Sequence, residues 1–238
     1  MDANVQFAQE LETDGQRERL ILVNDGSASM SQDDWKPSRM AGAVQASIAL
    51  IQAKARRHAD DEVGVVLFGA EAKALHLPVA AGPGKEELVQ AVEKAEDKWA
   101  DIGGCTDVTA GLEMAGRMLD GRPPVNRLTE RLLGLVFGNS GSAPASAASP
   151  NSQRRVILLT DGGHNCGDDP QKIAKSLKQA GTIIDCIGIG GSPNEVDEGL
   201  LKSLASPGPD GKPRYRFIGD PGRLIQTYRH LAGRLRPL

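Results

Sequence analysis

Apolar runs rich in β-branched residues alternate along the chain with stretches whose apolar positions recur every three or four residues, and this alternation predicts an α/β sheet. Leu20–Val23 is the first run. Met40, Val44, Ile48, Ile51 and Ala55 then share one helix face, with Pro37 at the first helical position. Glu62–Phe68 reads as a buried strand and Ala72–Pro78 as an edge strand, and the short link between them predicts an antiparallel pair. Helices follow at Lys85–Trp99 and Asp107–Leu119, then a strand at Arg155–Thr160. The remainder reads as helix Pro170–Gln179, strand Thr182–Ile189, helix Pro193–Leu204, strand Tyr215–Ile218 and helix Pro221–Leu235. Asp169-Pro170, Ser192-Pro193 and Asp220-Pro221 each set a capping side chain before a proline at the first helical position, and Ser192 with Glu195 makes a capping box. The expected fold is a doubly wound, mostly parallel six-stranded sheet with one antiparallel edge strand and helices on both faces.

Residues 1–18 form a polar N-terminal segment, and 19–238 read as a single domain with an insertion at about 121–152. Within it, Val125, Leu128, Leu132 and Leu135 have helical spacing, while 138–152 offers almost nothing to bury and reads as a flexible loop. The helix before the insertion runs antiparallel to the strands, so the insertion is expected to leave from the edge opposite the strands' carboxyl ends.

A formal net charge of -3 supplies no positive field for phosphates, and eight aromatic residues give few platforms for bases, so nucleic acid is excluded as an expected partner. The first twenty residues lack the pattern of a secretory signal and no run approaches about 18 apolar residues, so a cytoplasmic protein without a membrane partner is expected. Cys105, Cys166 and Cys186 are too scattered for a disulfide framework, and reduced thiols are expected.

In open parallel sheets ligands bind beyond the carboxyl ends of the strands. Three short patterns fall there: Asp25-Gly26-Ser27-Ala28-Ser29, Gly103-Gly104-Cys105-Thr106-Asp107 and Thr160-Asp161-Gly162-Gly163. Together they bring two carboxylates and three hydroxyls. Such hard oxygen donors suit Mg²⁺ or Mn²⁺ rather than zinc.

With these patterns in this order, the sequence from about Leu20 to Leu235 resembles the von Willebrand factor A domains. Asp25, Ser27, Ser29, Thr106 and Asp161 match the metal-ion-dependent adhesion site of that family position by position, with Ala28 and Cys105 as small departures. The resemblance implies a doubly wound fold and direct coordination by Ser27 and Ser29, sometimes with Thr106, while Asp25 and Asp161 often act through waters. It also implies a partner protein whose Asp or Glu carboxylate fills the ion's open position, and no catalysis. Intracellular members serve in multiprotein assemblies, including AAA+ ATPase, kinase/phosphatase and ubiquitin-type systems. Trp35, Lys36, His164 and Asn165 are read as the rim of the partner surface, with packing on the first helix an equal alternative for Trp35.

A haloacid-dehalogenase-like phosphohydrolase would require a second carboxylate where Ser27 stands. Two further readings compete with the adhesion site: a scaffold whose metal is purely structural, and a zinc or thiol centre built from Cys105, His164 and Cys166.

Overall fold

Every residue of β1, Glu18–Asp25, is buried, as befits a run that presents no polar face. It lies at the middle of a six-stranded sheet of order β3-β2-β1-β4-β5-β6. The other strands are β2 (Glu62–Phe68), β3 (Ala72–Ala80), β4 (Gln153–Thr160), β5 (Ile183–Ile189) and β6 (Tyr215–Ile218). All pairings are parallel except β2 with β3, where a short link allows only an antiparallel edge pair. The computed structural model describes residues 16–95, 102–125 and 152–233.

Side chains alternate across the sheet and divide the core in two. Leu20 and Leu22 pack with α1 (Arg39–Arg57), α2 (Lys85–Glu93) and α6 (Pro221–Leu231). Ile21 and Val23 pack with α3 (Val108–Leu119), α4 (Pro170–Gln179) and α5 (Glu198–Leu204). This is the doubly wound arrangement expected from the sequence. Among the described residues, no helix is long and apolar enough to cross a membrane.

Local starts differ from expectation in two places. Helix α1 begins after Ser38, whose hydroxyl accepts from Ala41 N–H, and Pro37 lies outside it behind a cis peptide bond. The expected helix over Pro193–Leu204 is broken into a 3-10 turn, Pro193–Glu195, and α5. Val196 between them is extended and buried with the second core, so the chain unwinds there and Asp197 caps α5 by accepting from Leu200 N–H. Ser192 makes no cap bond, and the Glu195 carboxylate accepts instead from Gly191 N–H and Arg39. Asp169 and Asp220 cap their helices as expected.

At the end of α3, Asp120 accepts from Arg154 at the start of β4, 2.8 Å away, and Gln153 N–H donates to Arg17 beside β1. The insertion therefore departs and returns at the strands' amino ends. Its expected helix beyond Val125 and its loop at 138–152 fall almost wholly within 126–151, outside the described residues.

The same edge holds a buried ionic network. Lys54 Nζ lies 2.5 Å from both Glu18 and Asp61, and all three are fully buried. Arg155 pairs with Asp185 at 2.7 Å and Glu18 at 3.3 Å, and donates to the carbonyls of Leu231 and Gly233 where α6 ends.

Candidate metal centre

At the opposite edge β1 ends in Asp25, and the chain turns through Ser27 into a 3-10 turn, Ala28–Ser31. The Asp25 carboxylate is completely buried: one oxygen accepts from Ser27 N–H at 2.7 Å, the other from the Thr160 hydroxyl at 2.5 Å. Burial pushes its pKa up to about 7, and the charge of Asp161 adds to the rise against the pull of the Thr160 and Ser27 bonds. Asp161, just past the end of β4, is also shifted upward by burial, opposed by Ser29 and Arg39. Both carboxylates thus belong to one buried site, in which Arg39 already meets part of the charge of Asp161.

The hydroxyls complete it. Ser27 Oγ and Ser29 Oγ are 3.1 Å apart, and Ser29 donates to Asp161 Oδ1 at 2.7 Å. Thr106 sits on the loop before α3. A Cβ added to Gly162 would lie 3.9 Å from Thr106 Oγ1 and 4.0 Å from Ser29 Oγ, so both hydroxyls border the space that this glycine leaves open. The structure thus brings Asp25, Ser27, Ser29, Thr106 and Asp161 together from three loops. No three His, Cys, Asp or Glu side chains gather as a metal cluster among the described residues. The all-oxygen set of two carboxylates and three hydroxyls fits a hard divalent ion.

The Thr106 and Asp161 loops are pinned to each other. Asn165 accepts from Thr106 N–H through its side chain at 2.8 Å and donates its own N–H to the Thr106 carbonyl at 3.1 Å. A disulfide joins Cys105 to Cys166, with Cα atoms 6.2 Å apart. Gly167, at φ +86°, then passes so near the carboxylate of Asp107, the N-cap of α3, that a Cβ there would collide with it.

Two sequence expectations are corrected here. Cys105 and Cys166 are bonded rather than reduced, because their loops converge over the site, and their thiols are then not free for a zinc or thiol centre. Cys186 is a buried thiol, pushed up by its burial. Trp35 is not on the rim: it is 3% exposed, with its ring against Gly42 of α1, where no side chain intervenes. Lys36 and Asn165 are exposed and His164 is half-buried, and Asn165 holds the Thr106 loop.

Sequence reasoning passed over Arg39. Its buried guanidinium donates to Asp161 at 3.0 Å, to both oxygens of Asp34 and to Glu195 at 2.5 Å. The Asp34 bonds, foremost, raise its pKa, and Arg39 in turn holds Asp34 below the usual carboxylate range. The one sequence signal was its place beside Met40 on the buried side of a helix start.

The sequence model of the von Willebrand factor type A domain matches residues 20–164. No curated protein matches the chain in sequence. Among solved structures, proximal thread matrix protein 1 from the mussel byssus, with a zinc-occupied MIDAS motif, is 21% identical with a TM-score of 0.63, over 93% of this chain and 48% of that one. A von Willebrand factor type A protein from Catenulispora acidiphila is 20% identical with a TM-score of 0.64, over 91% of this chain and 42% of its own. The conserved protein BatB from Bacteroides thetaiotaomicron is 16% identical with a TM-score of 0.59, over 90% and 97%. At these identities the likeness is one of fold, and the chain spans less than half the length of the first two.

Proposed function

The chain belongs to the von Willebrand factor type A domain family, and from that membership we propose that it is a protein-binding module working through Mg²⁺ or Mn²⁺ at a metal-ion-dependent adhesion site. Asp25, Ser27, Ser29, Thr106 and Asp161 would hold the ion. The observation that carries the proposal is the continuous run of short contacts from Ser27 through Ser29 to Asp161, beside a fully buried Asp25. Bound there, a divalent ion supplies an open coordination position for an Asp or Glu carboxylate of a partner protein. Both Asp25 oxygens are already engaged by Ser27 and Thr160, so Asp25 orients the site from behind and leaves the hydroxyls as direct donors.

The partner, within a multiprotein assembly, would rest against exposed Lys36 and Asn165 and half-buried His164. The zinc-occupied site of the mussel protein lends support for a divalent ion. A binding module rather than an enzyme is also favoured by Ser27, whose hydroxyl contacts Ser29 at the position where a phosphohydrolase would need its second carboxylate. Placement in the cytosol is proposed only for the reduced form of Cys105 and Cys166, since cytosolic thiols are kept reduced; the bonded form belongs to oxidising surroundings.

Calorimetric titration with MgCl₂ or MnCl₂ should show a single site and a matching rise in thermal stability, because a ligand bound only by the folded state stabilises it by mass action. Ser27→Ala should remove both effects while circular dichroism remains that of the folded chain. Absence of binding to the wild type at millimolar metal would overturn the proposal.

A further inference from the structure

Both oxygens of Asp161 are engaged, but by different partners: Ser29 Oγ donates to one at 2.7 Å and Arg39 Nη1 to the other at 3.0 Å. Ser29 is a hydroxyl that can rotate toward an ion. Arg39 is a fixed cation, 3% exposed, whose planar fork is held by Asp34 at the end of the loop leaving β1 and by Glu195 in the turn after β5. Its position is therefore set by three loops at once, and Asp161 is drawn to it.

We propose that Arg39 is a positioning residue that holds Asp161 by one oxygen and offsets its charge, making the other oxygen a poorer ligand, so that the Ser27, Ser29 and Thr106 hydroxyls are favoured as the direct donors. This inference rests on the metal-site reading above and specifies how strongly the site holds its ion. A guanidinium in contact with a buried carboxylate opposes the approach of a divalent cation. It thereby lowers the intrinsic metal affinity and keeps the ion electron-poor for an incoming carboxylate. A residue that merely supported the fold would have the opposite sign, since its loss would loosen the site and weaken metal binding.

The test uses the full chain and metal alone. Arg39→Gln should bind Mg²⁺ and Mn²⁺ about tenfold more tightly than wild type by calorimetry, whereas Arg39→Lys, which keeps the charge, should stay near wild type. Electron paramagnetic resonance of bound Mn²⁺ in ¹⁷O-water should show fewer coordinated waters in Arg39→Gln, as Asp161 takes a direct place. The double variant Asp34→Asn with Glu195→Gln, made at partly exposed positions, leaves Arg39 committed to Asp161 and should weaken Mg²⁺ binding. That second arm decides the matter if Arg39→Gln does not fold. Equal or weaker binding by folded Arg39→Gln, or unchanged binding by the double variant, would overturn the role of Arg39 and leave the metal site standing. No metal binding by wild type would remove both.

Discussion

In metal-free solution at pH 8, Asp25→Asn should be more stable than wild type, by up to about 4 kcal/mol. An aspartate ionises near pH 4 in an unfolded chain, whereas burial and the charge of Asp161 push the folded value up to about 7. With the folded pKa the higher one, the folded state retains a proton that the unfolded state has lost. Stability is therefore full below pH 4, falls between pH 4 and 7, and stays low above it. The span of about three units corresponds to about 4 kcal/mol. Asparagine removes the ionisation while its side chain still accepts from Ser27 N–H and offers Thr160 a donor in return. Urea unfolding in EDTA at pH 5 and pH 8 measures the effect. The expected outcome is a wild-type stability that drops across this window and a variant whose stability drops much less. By the same linkage, Mg²⁺ competes with the Asp25 proton, so its affinity should rise as pH increases toward 7. A variant no more stable than wild type at pH 8 would show that Asp25 is not held at a disadvantage.

Lys54→Ala should lower stability by about 3–5 kcal/mol, the usual consequence of stripping one partner from a buried ion pair. Its ammonium lies between Glu18 and Asp61, each 2.5 Å away and each fully buried. Removing it leaves two carboxylates close together in the interior, with Arg155 reaching Glu18 alone at 3.3 Å. Urea denaturation with an unchanged slope provides the measurement, and a loss below about 1 kcal/mol would mean that water reaches these carboxylates. The eight residues of β1 put this network roughly 25 Å from the metal centre. Mg²⁺ affinity of the folded fraction should accordingly match wild type.

The sheet was legible because its central strands are buried on both faces and therefore appear as unbroken apolar runs. The five candidate ligands were legible because topology fixes where strand ends lie, and short oxygen-rich patterns recur there. Arg39 was not, because the partners that give it meaning stand 5, 122 and 156 residues away and meet only in three dimensions. The Cys105–Cys166 pair was hidden for the same reason, with 61 residues between its members and no spacing to mark it. Trp35 was ambiguous rather than hidden: an aromatic in a polar loop reads equally as a rim anchor or as packing on the first helix, and the room left by Gly42 for its ring decides for packing. The break at Val196 depended on a single apolar side chain needed by the second core, which outweighed a good capping sequence.

β3, β2 and β1 come from the chain before residue 126 and β4, β5 and β6 from the chain after residue 151, so the sheet divides into two sequence-contiguous halves that meet only along the β1–β4 seam. Asp25, Ser27, Ser29, Arg39 and Thr106 belong to one half, Asp161 and Glu195 to the other. A protease cut between residues 126 and 151 should leave a two-piece molecule that still presents the whole site, with Cys105 on one piece and Cys166 on the other keeping them covalently linked. Such a nicked protein should migrate at full mass on a non-reducing gel, separate into two bands after reduction, and provide a split reporter whose reassembly is read by the return of Mg²⁺ binding.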